Sequence, residues 1–194
     1  MKAVFIVLAL ALTGCFTTEN KPIAKEEFYD MDGMLKDLMD NCAKHQFSVK
    51  KSAMVNGHSE EKIIEKADST FWKRELSLLF EADLNKPINV GAYTIHHDLS
   101  DSSSNLRFDQ YLKKNNYQGV QWENIYYLST PAEIRKIAYE RLENNSLFIS
   151  KRRVHLWINR YGDDLLIDSL KVIGSSKMIG QDSLNYKITS KVIH

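Results

Sequence analysis

The sequence predicts an α+β fold: an N-terminal helix, an Asn-Gly hairpin, a second helix, then an antiparallel β-meander packed against the helices. Three observations carry this. From Lys25 to Lys44 the apolar residues recur at spacings of three and four, the period of an amphipathic helix. Asn56-Gly57 separates two strand-like runs, as in a hairpin closed by a type I′ turn. After Val90, alternating segments follow one another closely, leaving room for hairpins but none for parallel crossovers.

In the first helix Phe28, Met31, Leu35, Leu38 and Cys42 form the apolar stripe, with Met34 and Met39 beside it. Glu26, Glu27 and Asp30 suit the positive end of the helix dipole, and Lys44 and His45 suit its negative end. Gly33 weakens this helix by about 1 kcal/mol relative to Ala. Three methionines on one stripe fit either an adaptable groove or a helix packed on a sheet. The hairpin strands run from Val49 to Val55 and from His58 to Lys66, charged on the face that meets water. Asp68-Ser69-Thr70 caps a second helix bearing Trp72, Leu76, Leu79 and Phe80, which Asn85-Lys86-Pro87 ends.

The remainder reads as strands. Val90 to Leu99 is extended, and a Ser-rich turn at 100–105 follows. Leu106 to Leu112 and Val120 to Leu128 alternate. Further strands are expected at Leu147 to Asn159, Leu165 to Ile173, Ser176 to Ile179 and Leu184 to Ile193, with Gly174-Ser175 as one of the breaks. Residues 130–144 are ambiguous. Thr130-Pro131-Ala132-Glu133 is a capping-box start with helical spacing behind it, yet the same residues fit a meander strand between two strand neighbours. A strand is expected here.

The chain has 194 residues, and removing residues 1–14 leaves 180, enough for one domain with a core. With Lys2 gone, basic and acidic residues balance at 25 each, so no net field draws the chain to nucleic acid or anionic lipid. Three prolines and eight glycines exclude a fibrous or low-complexity body. Of two cysteines, Cys15 belongs to the N-terminal segment and Cys42 is alone, so a disulfide framework within the chain is excluded. Cys42 is either a reactive thiol or a core residue, and its place on the apolar stripe favours the core.

Met1 to Cys15 has a basic residue (Lys2), an apolar run from Ala3 to Leu12, and small residues before Cys15. That is the build of a secretory signal, and the run is shorter than the roughly 20 residues a membrane-spanning helix needs. Leu12-Thr13-Gly14-Cys15 resembles the lipobox of bacterial lipoproteins. The resemblance implies cleavage of 1–14, acylation of Cys15 and a lipidated tether at 15–24 leading into a single domain at 25–194. Two or three acyl chains hold a protein stably at a membrane. Phe16 follows the cysteine where an Asp retains some lipoproteins in the inner membrane, so the outer membrane is expected. Glu19 alone is a weak acidic cluster, so the periplasmic face is expected.

Trp72-Lys-Arg-Glu75-Leu76 followed by Ala82-Asp83-Leu84-Asn85-Lys86-Pro87 resembles a signature of small exported lipoproteins of Bacteroidota. The order of lipobox, helix, Asn-Gly hairpin, Trp-containing helix and C-terminal meander is similar over nearly the whole mature chain. The resemblance implies fold and location, and it implies no activity.

The sequence offers little chemistry. His96 and His97 are adjacent on a strand and point to opposite faces, and no His/Cys cluster has zinc spacing, so no metal or cofactor is expected. Asp101-Ser-Ser103-Ser-Asn105 begins like a calcium loop, but Leu106 and Leu112 occupy its glycine and glutamate positions. No nucleophile elbow or phosphate-binding glycine loop is present. Lys151-Arg152-Arg153 beside His155 and Trp157 has the composition of a nucleic-acid or headgroup site, but alternation divides it between two faces. No catalytic residue is assigned. The expectation is a non-catalytic binding or assembly module, with Trp72, Phe80, Trp122, Tyr126 and Trp157 as candidate lining for an apolar ligand or lipid. The membrane is the expected partner, with a lipid or an envelope protein besides. The alternative is an envelope hydrolase built from scattered residues.

Overall fold

A computed structural model describes residues 28–193, so the signal segment, Cys15, the tether and the helix positions at 25–27 lie outside the described residues. The first helix, α1, runs over Met31–His45. The Asp30 side chain caps it by accepting from the Gly33 amide at 2.9 Å. A Cβ at residue 33 would collide with the Asp30 carboxylate, so the glycine that weakens the helix by propensity also makes room for its cap. Met31, Met34, Leu35, Leu38 and Cys42 are buried, as the stripe predicts.

The hairpin strands β1 (Ser48–Val55) and β2 (His58–Ile64) pair antiparallel, with Asn56 and Gly57 both at positive φ. Asp68 caps α2 (Ser69–Glu75), accepting from the Phe71 amide at 2.8 Å. The predicted second helix then breaks at Leu76 and resumes as the single turn α3 (Ser77–Phe80). It stops short of Pro87, which opens a 3-10 turn instead.

Seven strands follow: β3 (Tyr93–Ser100), β4 (Arg107–Lys113), β5 (Gly119–Tyr127), β6 (Ile134–Asn144), β7 (Phe148–Tyr161), β8 (Asp164–Met178) and β9 (Leu184–Ile193). The ambiguous stretch is strand, with only Pro131–Glu133 keeping a turn of 3-10 helix. The local helix signal loses because β6 sits between β5 and β7 with both its edges hydrogen-bonded. Gly174-Ser175 does not break a strand: β8 is continuous, and the Tyr186 ring lies over Gly174 from the neighbouring strand. The glycine is there for close approach, not for a turn.

All nine strands form one antiparallel sheet in the order β2-β1-β9-β8-β7-β6-β5-β4-β3. The last strand pairs with the first, so the N-terminal hairpin extends the meander at the β9 edge. The fold is α+β and mostly β. Helices cover one face only. The Tyr139 hydroxyl donates to Leu78 O at 2.8 Å, the Ile167 amide donates to Cys42 Sγ at 3.4 Å, and buried Glu75 of α2 meets Lys51 of β1 and Ser190 of β9. Ile125, Ile137, Tyr139, Val154, Leu156 and Leu170 pack beneath the helices. Among the described residues no element covers the opposite face, and no helix is long and apolar enough to cross a membrane.

Candidate ligand-binding face

Strand parity decides which side chains reach the open face. On β5 the covered face takes Glu123, Ile125 and Tyr127, and the intervening Trp122, Asn124 and Tyr126 point the other way. Register carries the open face across the sheet. Tyr126 lies opposite Phe108 of β4 and Lys136 of β6, and Trp122 lies opposite Glu140. Lys136 in turn is opposite Trp157 of β7, Ala138 opposite His155, and Glu140 opposite Arg153. His155 continues to Lys171 of β8. Neighbouring strands thus bring residues from 108 to 171 into one half-exposed patch.

The patch is a ladder of aromatic rings and cations. Phe108 and Tyr126 stack with centroids 5.0 Å apart, and His155 and Trp157 stack at 5.6 Å. Lys136 Nζ stands 4.6 Å from the Tyr126 centroid and 5.7 Å from that of Trp157, and the Arg153 guanidinium stands 5.8 Å from Trp122. Burial, and then the charges of Lys136, Lys171 and Arg153, push the His155 imidazole down to about 4, so it is neutral near pH 7. Its Nδ1 is buried without a hydrogen-bond partner. The one acid inside the ladder, Glu140, is met by Lys151 at 3.1 Å and Arg153 at 2.8 Å.

Among the described residues, this face carries two clefts. The larger, about 480 Å³, lies where the Ser-rich β3–β4 turn meets β6, β7 and β8, with Asp101, Arg135, Lys136, Trp157, Asn159 and Asp168 among its walls. The smaller, about 280 Å³, is bounded by Glu140, Lys151, Arg153, Ser175 and Asn185. Both mix cations, carboxylates and neutral hydrogen-bonding groups. The Asp101 carboxylate that looked like the start of a calcium loop accepts from the Ser103 amide at 3.1 Å and the Ser104 hydroxyl at 2.7 Å, which holds its pKa low and shapes the turn.

The five residues expected to line one apolar pocket are divided by the sheet. Trp72 is fully buried in the helical layer, edge-on to Phe71 at 5.1 Å, and Phe80 packs partly buried against the same core. Trp122, Tyr126 and Trp157 share the open face. The single site becomes a core pair and a surface trio, and the cations between the three rings make the surface site polar. No protein-family model, curated protein or solved structure matches this chain.

The described histidines do not gather. His45 Nε2 meets Asp164 Oδ2 at 3.0 Å at one end of the sheet, and His155 sits mid-sheet. His97 Nδ1 meets Asp109 Oδ2 at 3.0 Å beside the β3 bulge. Burial raises the Asp109 pKa, but the Asp98 amide, His97 and the Tyr127 hydroxyl outweigh it and hold the group below the ordinary carboxylate range. That carboxylate pins the bulge where Asp98 takes a positive φ. Among the described residues no three His, Cys, Asp or Glu side chains converge as metal ligands. Cys42 is buried, and desolvation raises its thiol to about 11, which makes it inert.

Sequence reasoning missed one group. Glu123 is buried on the covered face with Oε2 unpartnered, opposite Tyr111 and Tyr139, and desolvation followed by the Asp83 charge raises its pKa far above normal. Its parity with Ile125 and Tyr127 was the available signal.

Proposed function

We propose that the chain is a lipid-anchored envelope protein, held at the outer membrane through Cys15, that binds an acidic sugar on its open sheet face and performs no reaction. The aromatic–cation ladder carries this reading. A pyranose ring presents apolar C–H faces that pack on Trp157, Tyr126 or Trp122, and a phosphate or carboxylate on that ring is met by Lys136, Lys171 or Arg153. Asn159, Asp168 and Arg135 in the larger cleft offer hydrogen bonds to hydroxyls, and its volume falls within the range of small-ligand sites, about 300–1,000 Å³. Sugar phosphates of envelope glycolipids have this chemistry, which keeps the expected lipid partner but moves its recognition from an acyl pocket to a headgroup surface. The balanced overall charge supports local pairing on this face over long-range attraction.

Titration with acidic and matched neutral oligosaccharides, read by tryptophan fluorescence, tests this. The acidic series should bind and the neutral series should not. Trp157→Ala and Lys136→Ala should each weaken binding on the order of tenfold while leaving circular dichroism unchanged. Equal binding of both series, or none, would remove the reading.

A further inference from the structure

The two ends of the sheet differ in chemistry. One end carries the Asn56-Gly57 turn, the β8–β9 turn, the β6–β7 turn, the β4–β5 turn and the segment leading into β3. Ten of the fourteen large apolar side chains that are exposed among the described residues lie on these tips or on the strand ends next to them. At the apices Ile88 is 85% exposed, Tyr117 76%, Ile179 74% and Leu147 67%. Charge on these tips and strand ends is balanced, Lys86, Lys113, Lys114 and Lys177 against Glu81, Asp83, Glu143 and Asp182. At the other end the turns present Asp101, Ser104, Thr130, Glu133 and Asp163.

The apolar tips are joined to one another. Lys114 Nζ donates to Gly91 O at 2.9 Å, Gln118 Nε2 to Asn144 O at 2.5 Å, and the Ile179 amide to Leu147 O at 3.0 Å. The Asn56 amide donates to Asn185 O at 2.9 Å. Successive tips are two strands, about 10 Å, apart, so the rim is a braced arc. An arc of exposed Ile, Leu and Tyr has the composition of a surface that enters the interfacial layer of a bilayer, with the aromatic side chain at headgroup depth.

We propose that this rim docks into the surface of a lipid bilayer. The inference rests on the lipid-anchored reading in one respect. Phe28 packs on Tyr93 at 5.7 Å, at the rim end of β3, and it follows Cys15 by thirteen residues. Thirteen residues span at most about 45 Å, so an acyl chain on Cys15 holds the domain with this end within reach of the membrane.

The test places a tryptophan at a tip, Leu147→Trp or Ile179→Trp, and a control at the opposite end, Ala132→Trp, in the full chain purified from its envelope. Each variant is mixed with vesicles of phosphatidylethanolamine and phosphatidylglycerol carrying brominated acyl chains. The three native tryptophans contribute the same background to all variants. L147W and I179W should shift to the blue and be quenched at least about twofold more than A132W. Equal quenching of tip and control variants overturns the proposal. The acyl mass on Cys15, read on the same samples, separates the two readings. Mass present with tips unquenched removes the rim and keeps the anchor, and mass absent with tips quenched removes the anchor and keeps the rim.

Discussion

Glu123 is the residue whose environment most contradicts its chemistry. Its carboxyl lies under the segment that follows α3, with Tyr93, Tyr111, Tyr139 and Asp83 among the titratable groups around it, and burial, followed by the Asp83 charge, raises its pKa well above the ordinary carboxylate value. In the unfolded chain the group ionises near 4.5. A raised folded pKa means that its contribution is fully present below that value and is lost as pH rises towards the folded pKa. Glu123→Gln removes this titration. Thermal denaturation should show the variant more stable than the wild type at about pH 8, by roughly 1 kcal/mol or more, and the two close together near pH 4.5. Parallel pH profiles would show that Glu123 ionises freely in the fold. The same strand explains which site residues were legible. Trp122 and Tyr126 alternate with Glu123 and Ile125, so the alternation was visible in sequence, but which parity faces helices was not. Trp72 joined the wrong group because helix and strand faces cannot be related without the register between them.

At the scale of elements, the strongest local signals held where tertiary packing agreed with them. The α1 stripe, the Asn-Gly hairpin and the Asp68 cap are each determined within a few residues. The break expected at Gly174 failed because the signal for a turn is also the signal for close approach. Opposite Gly174 stand Arg152 on one side and Tyr186 on the other, and the Tyr186 ring occupies the space of a side chain. Gly174→Ala should displace that ring and destabilise the β8–β9 pairing by about 1–3 kcal/mol, measured by urea denaturation, with the midpoint lowered and the slope unchanged. If G174A unfolds at the wild-type midpoint, Tyr186 moves aside freely and the continuity of β8 has another cause. The 130–144 stretch shows the converse: a capping box and a helical period yielded to a strand hydrogen-bonded along both edges, leaving one turn of 3-10 helix as residue of the local preference.

At the scale of the whole molecule, one sheet separates two environments. The covered face is a packed helix–sheet layer, and the open face is a ladder of rings and cations. The pairing of β9 with β1 returns the C-terminal strand to the hairpin, a contact across more than a hundred residues that no local pattern encodes. Assembly of the candidate site is equally non-local, since Tyr126, Lys136 and Trp157 meet only through three strands in register. The proposed role of this face is to hold an acidic ligand in the envelope. Mass spectrometry under non-denaturing conditions tests it on protein purified from its own envelope in mild detergent, wild type alongside Trp157→Ala. An acyl mass on Cys15 is expected in both, with one non-covalent anionic adduct at fixed stoichiometry in the wild type that is lost in W157A. A wild type without an adduct, or the same adduct retained in W157A, would contradict it.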